Sequence, residues 1–244
     1  MNAPLGTVQP ASTSAGRRGI LRALALAPVV PMLHACAQPT IASLPDKPTN
    51  GIFLEDERAV LPEGETLRAL HPKGLQLTKI SEGWVPRLYN DAAGYCTVGY
   101  GHLCYKARCD GATPSEFLKG ISETAGTELL RLDMQKAQIA VQAAIPGHRE
   151  RLNDFQYAAL CDFAFNVGGG NFRSSTLLKV VLDRQFDRVP AQFRRWVLAR
   201  GIRFNGLVKR REGEIALFFE GMAIPKSVPR QDDDLSPLDI TQRA

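Results

Sequence analysis

Apolar positions fall at helical spacing in two blocks, with a short stretch of β-prone residues between them. From Lys73 to Glu82 the apolar residues are Leu75, Leu77 and Ile80, and Gly83 supplies a helix stop. Arg87–Asp91, Tyr95–Gly99 and His102–Lys106 are short β-prone runs separated by Ala92-Ala93-Gly94 and Tyr100-Gly101, which predicts a three-strand meander. If Gly99 faces His102 across the second turn, Thr97 faces Cys104 and Cys96 faces Tyr105. Cys96 and Cys104 then lie on opposite faces of the sheet. Thr124–Ala144 reads as a long helix closed by Pro146-Gly147. Asn153 and Gln156 form a capping-box signature for a helix over Asp154–Asn166. That helix is apolar at Phe155, Ala158, Ala159 and Phe163 with few charges, as expected of a buried central helix, and Gly168-Gly169-Gly170 ends it. Ser175–Asp183, Pro190–Ala199 and Gly206–Glu220 predict three further helices. The fold class is α+β: a small three-stranded antiparallel sheet beside a mainly helical lobe.

The ends of the chain read differently from this middle. Residues 1–37 carry Arg17-Arg18 and Arg22, an apolar stretch broken by Pro28 and Pro31, and then Leu33-His34-Ala35-Cys36-Ala37. This predicts an export signal of twin-arginine type, cleaved, lipidated at Cys36, or kept as a releasable anchor. Every version places the protein outside a bacterial cytoplasm, in the periplasm or beyond, with membrane attachment through Cys36 or the uncleaved signal as an option. Residues 38–67 are acidic and rich in Pro and Gly, which predicts a linker. Residues 223–244 hold three prolines and Asp232-Asp233-Asp234, which predicts a disordered tail.

Of the 244 residues, 44% are hydrophobic and 23% charged, which excludes wholesale disorder, collagen-like repeats and a coiled-coil rod. The net charge of +5 is uneven: residues 68–222 hold 22 basic and 15 acidic residues. The predicted domain is therefore the basic part and suits an anionic partner. Without Cys36, four cysteines remain: Cys96, Cys104, Cys109 and Cys161. With Cys96–Cys104 set aside, two schemes are left, Cys96–Cys109 with Cys104–Cys161 or Cys96–Cys161 with Cys104–Cys109. The absence of a Cys-x2-Cys pair argues against a zinc site.

The candidate chemistry lies at the first helix end and the meander. Glu82 ends its helix, where a carboxylate meets the negative end of the macrodipole. A residue that breaks a local rule points to function, and the same repulsion favours the protonated form that a general acid needs. Asp91 follows nine residues later at a strand–turn junction, and Thr97 stands on the next strand. Two carboxyl groups across a cleft suffice to cleave a glycosidic bond.

The string Glu82-Gly83, Leu88-Tyr89-Asn90-Asp91-Ala92-Ala93-Gly94-Tyr95-Cys96-Thr97-Val98-Gly99-Tyr100-Gly101-His102 closely resembles the active-site hairpin of phage-type lysozymes, glycoside hydrolase family 24. Leu152–Leu160, Phe163–Gly168, Phe172–Leu178 and Gly206–Glu212 are similar to the same family, in the same order. The resemblance implies a lysozyme-like fold and a muramidase that cleaves the β-1,4 bond between N-acetylmuramic acid and N-acetylglucosamine. It implies Glu82 as general acid, Asp91 as second carboxylate and Thr97 as the residue that holds a water. It implies a cleft floor of Phe165, Asn166 and Val167, with Arg210 and Arg211 as candidates to approach Glu82 and Arg211 taken as substrate-binding. Gly99, Gly101 and His102 are expected to be structural at the hairpin. The implied partner is bacterial peptidoglycan, met by a monomer without metal, cofactor or nucleic acid. A lytic transglycosylase and a catalytically silent peptidoglycan-binding protein are the alternatives.

Overall fold

The computed structural model describes residues 60–91, 94–109, 115–231 and 233–242. The expected export signal, residues 38–59 of the expected linker, and Ala92 and Ala93 of the first turn lie outside the described residues. The element order is α1 (Pro72–Glu82), β1 (Val85–Asn90), β2 (Cys96–Gly99), β3 (His102–Tyr105), α2 (Glu123–Ala144), α3 (His148–Arg151), α4 (Asp154–Val167), α5 (Gly169–Ser174), α6 (Thr176–Leu182), α7 (Val189–Arg194), β4 (Trp196–Ala199), β5 (Ile202–Arg203), α8 (Asn205–Phe218) and β6 (Leu238–Asp239). The α+β architecture matches the expectation.

Local chemistry sets the helix ends that matter for the site. Pro72 opens α1, and the His71 side chain accepts from the Lys73 N–H. Gly83 stops α1 at φ 75°, with its N–H bonded to the Lys79 carbonyl. The capping box of α4 is complete: Asn153 accepts from the Gln156 N–H and the Gln156 side chain accepts from the Asn153 N–H.

Helix α4 is the centre of the lobe, packed against α1, α2, α5 and α8. Tyr157, Ala158, Ala159, Leu160 and Phe163 on it are fully buried. The Phe163 ring meets Phe172, Phe193 and Trp196 edge-on, at centroid distances of 6.3, 5.4 and 5.6 Å.

The meander is antiparallel in the order β1-β2-β3, but its register departs from the expected one. Val98 faces His102 and Thr97 faces Leu103, and an irregularity then restores Cys96 opposite Tyr105. The turn is one residue longer than Tyr100-Gly101 because Gly99 and Gly101 both adopt positive φ, at 67° and 80°. A bulge between Cys96 and Thr97 absorbs the extra residue.

Four further expectations are corrected. The helix expected over Pro190–Ala199 stops at Arg194, and Trp196–Ala199 is strand β4. Arg200 and Gly201 both sit at positive φ, 51° and 73°, in a two-residue hairpin turn that pairs β4 with β5. Only Gly168 of the glycine triplet ends α4. Gly169 and Gly170 begin α5, which buries Phe172. The C-terminal stretch expected to be disordered is docked: β6 pairs in parallel with β4, and Ile240 is 4% exposed in the main core. Asp233 is enclosed against Arg188, and the exposed Asp234 pairs with Arg195. The folded part also begins before Arg68, because Glu65 accepts from Gln142 Nε2 at 3.1 Å and stands 3.1 Å from His148 Nε2.

Of the cysteine pairs, Cys96–Cys109 is bonded, while Cys104 and Cys161 are free. The second bridge of either scheme is therefore absent. Cys161 is wholly enclosed in α4, and burial pushes its thiol up. Burial also raises the Cys104 thiol, to about 12.

Candidate active site

Glu82 is the last residue of α1, with its side chain 19% exposed. Its Oε1 accepts from Arg210 Nη1 at 2.7 Å. Its Oε2 lies against the hairpin turn, where a Cβ added to Gly101 would stand 3.7 Å away. Gly101 sits at φ 80°, a conformation that favours glycine, and the turn it makes lies against the carboxyl group. The unfavourable helix end is compensated by a guanidinium supplied by α8, from one of the two arginines that the sequence offered for it.

Arg210 is buried, and its other nitrogens grip Asp162 of α4: Nε donates to Oδ2 at 3.0 Å and Nη2 to Oδ1 at 2.9 Å. Thr78 of α1 donates to Asp162 Oδ1 at 2.7 Å. Burial works against both charges. Even so, Arg210 pulls the Asp162 carboxyl below its usual range, and Asp162 followed by Glu82 holds the Arg210 charge on more firmly than in water. Arg210 Cζ also stands 6.0 Å from the centroid of the half-buried Phe165 ring.

Asp91 follows β1. Its N–H donates to the Tyr95 carbonyl, and its Oδ1 accepts from the Tyr95 N–H, both at 2.9 Å. Thr97 on β2 is 1% exposed, and the hydroxyl expected to hold a water donates to the same Tyr95 carbonyl at 3.0 Å. Tyr89, opposite Thr97 on β1, relates the two carboxylates. Burial raises its phenol first, and the charges of Glu82 and Asp91 raise it further. The disulfide lies beside this group: the Cys109 N–H donates to Asn90 Oδ1 at 2.7 Å, next to Asp91, while Cys96 precedes Thr97.

The remaining expected residues separate. Phe165 stands near Arg210. Asn166 is 7% exposed and accepts from Arg211 Nη2 at 2.8 Å. Val167, 2% exposed, belongs to the core. Arg211 is fully enclosed, bonded to Asn166 and Glu214 and stacked 4.9 Å over Phe163. It is thereby removed from any surface a sugar reaches, and Arg210 is the arginine that meets Glu82. The His102 side chain reaches out of the hairpin: its Nδ1 lies 3.2 Å from Asp133 of α2, which ties the sheet to the helical lobe. Gly99 and Gly101 lie in the turn, both at positive φ. Sequence reading missed Asp162, Glu214 and Tyr89. The signals available were an acid inside an otherwise apolar helix and a Glu three and four residues after two arginines.

The chain resembles known proteins over the segment that carries this site. A family model described as phage lysozyme matches residues 79–214. The endolysin of Bacillus phage B103 is 34% identical over 160 residues, covering 65% of this chain and 56% of that protein. The chain thus spans little more than half the length of this relative. A SAR-endolysin of Escherichia phage Mu is 32% identical over 130 residues, covering 53% of this chain and 69% of that one. Among solved structures, a variant of P22 lysozyme is similar with a TM-score of 0.52 and 29% identity, over 62% of this chain and 98% of its own. The family model takes in the helix end with Glu82, the whole meander and Arg210, and on that match the chain belongs to the phage lysozyme family.

Proposed function

We propose that the chain is a peptidoglycan hydrolase that cleaves the β-1,4 bond between N-acetylmuramic acid and N-acetylglucosamine. The observation that carries this reading is Glu82, a partly exposed acid fixed by a buried arginine and facing the hairpin that bears Asp91 and Thr97. Membership of the phage lysozyme family and the endolysin names of its relatives support it.

In this reading the protonated Glu82 gives its hydrogen to the bridging oxygen, and the C1–O bond breaks with its electron pair going to that oxygen. A water forms the new bond to C1 and passes its proton toward the Asp91 carboxylate. Thr97 acts through the Tyr95 carbonyl, which holds the Asp91 backbone in place. Phe165 borders the substrate beside Arg210. The basic 68–222 segment suits a wall polymer rich in carboxylates, and attraction of this kind weakens with salt. The place of action is the cell wall outside the cytoplasm, reached through residues 1–37 as an export signal. The SAR-endolysin among the relatives supports that route.

Muropeptides released from purified sacculi, read by mass spectrometry, test the reading. Wild type is expected to give reducing muramyl ends. Glu82→Gln is expected to give none while still folding cooperatively, as read by circular dichroism and a single unfolding transition. Equal release by that variant overturns the assignment, and anhydromuramyl ends would replace hydrolysis with transglycosylation.

A further inference from the structure

One oxygen of Glu123 joins the two sides of the candidate site. Glu123 opens α2, and its Oε1 accepts from Lys79 Nζ at 2.9 Å and from the Tyr100 hydroxyl at 2.8 Å. Lys79 lies on α1, one helical turn before Glu82. Tyr100 lies in the hairpin turn, next to the Gly101 that faces Glu82 Oε2. The two donors also meet each other, with Lys79 Nζ 5.1 Å from the centroid of the Tyr100 ring.

Trp84 packs into the same junction. It follows Gly83, the stop of α1, and its ring centroid stands 4.9 Å from that of the buried Tyr100. A Cβ added to Gly126 of α2 would stand only 2.2 Å from the indole, so α2 passes Trp84 at a distance that only glycine allows. The end of α1, the hairpin turn and the start of α2 therefore close on one point. Glu123 itself is 60% exposed, and an exposed ion pair adds little to stability. Its bond to Lys79, and then that to Tyr100, hold its carboxyl below the usual range, which keeps the acceptor ionised.

We infer that Glu123 is a positioning residue for Glu82. Through a single atom it clamps the last turns of α1 to the hairpin turn, and so fixes the gap between Glu82 and the strands that lead to Asp91 and Thr97. This role rests on the hydrolase reading of Glu82. Glu123 bonds to neither of these acids and acts through Lys79 and Tyr100. Breaking the clamp costs the fold little, whereas a shift of about 1 Å in a reacting group can slow a reaction by on the order of a hundredfold.

Tyr100→Phe, Glu123→Ala and the double variant, made in the full chain and assayed on purified sacculi, test this. Phenylalanine keeps the ring against Trp84 and removes the hydroxyl. Tyr100→Phe is expected to lower kcat by about fivefold and Glu123→Ala by about tenfold, with KM within about twofold of wild type. The double variant is expected to be no slower than Glu123→Ala, because both changes undo one junction. Glu123→Gln, whose side-chain oxygen accepts the same two hydrogens, is expected to recover most of the loss. An unchanged kcat in Glu123→Ala, a loss confined to KM, losses that multiply in the double variant, or a Glu123→Gln as slow as Glu123→Ala would overturn the inference. If Glu123→Ala does not fold, kcat of Tyr100→Phe decides. A wild type inactive on sacculi defeats the hydrolase reading instead, and acrylamide quenching of tryptophan fluorescence then decides the clamp. Trp196 is buried, so quenching reports on Trp84. It is expected to rise in Glu123→Ala and Tyr100→Phe, and unchanged quenching overturns the clamp.

Discussion

Asp91 and Thr97 are fastened to a single atom. The carbonyl oxygen of Tyr95 accepts the Asp91 N–H at 2.9 Å and the Thr97 hydroxyl at 3.0 Å, so the position of one depends on the other. A side chain enclosed on a strand thereby governs an acid on a loop.

Thr97→Val keeps the branched shape and removes the hydroxyl. Loss of one neutral hydrogen bond is expected to lower stability by about 1 kcal/mol. Misplacement of Asp91 is expected to lower kcat on sacculi by roughly ten- to a hundredfold, with KM little changed. Thr97→Ser, which keeps the donor, is expected to retain most of the activity. Equal kinetics for Val and Ser would break the link through Tyr95.

Asp162 gives a stability signature in acid. Its carboxyl lies below the ordinary aspartate value in the folded chain, so its contribution is complete above about pH 4. The contribution is lost as pH falls through the lower folded value. Asp162→Asn is expected to be less stable at neutral pH by about 3 kcal/mol, because it leaves the Arg210 charge poorly paired. The gap to wild type is expected to narrow once the pH is lowered below about 4. Urea unfolding of both proteins across acid and neutral pH measures it, and a constant gap would refute the assignment.

Ile240 tests whether the docked C-terminal stretch belongs to the core. Ile240→Ala is expected to cost about 2–4 kcal/mol in denaturant unfolding. A change within error would mean that β6 and its flanks add nothing to the lobe.

What the sequence discloses is mostly local. The capping box of α4 and the glycine-bounded meander are legible because each is decided within a few residues. Strands β4 and β6 are not, since a short parallel pair between Trp196 and Leu238 has no local signature. The turn register failed by one residue because two glycines extend the loop and a bulge absorbs the extra residue. The choice between Arg210 and Arg211 failed for a related reason. Consecutive helix residues point about 100° apart, so one-residue uncertainty exchanges the face toward Glu82 for the face toward Asn166. The charge cluster was half visible, as a Glu spaced to meet two arginines. Its third member on α4 was hidden in an apolar run.

The parallel pairing of β6 with β4 bears on how the polypeptide is made. Synthesis runs from the amino end, so the segment carrying Leu238 and Ile240 emerges only after every helix of the lobe. Until then β4 has one unpaired edge, and the hydrophobic interior lacks the isoleucine that fills it. A nascent chain from which this segment has yet to emerge therefore holds an incomplete lobe, and closure waits for residues made after all the helices.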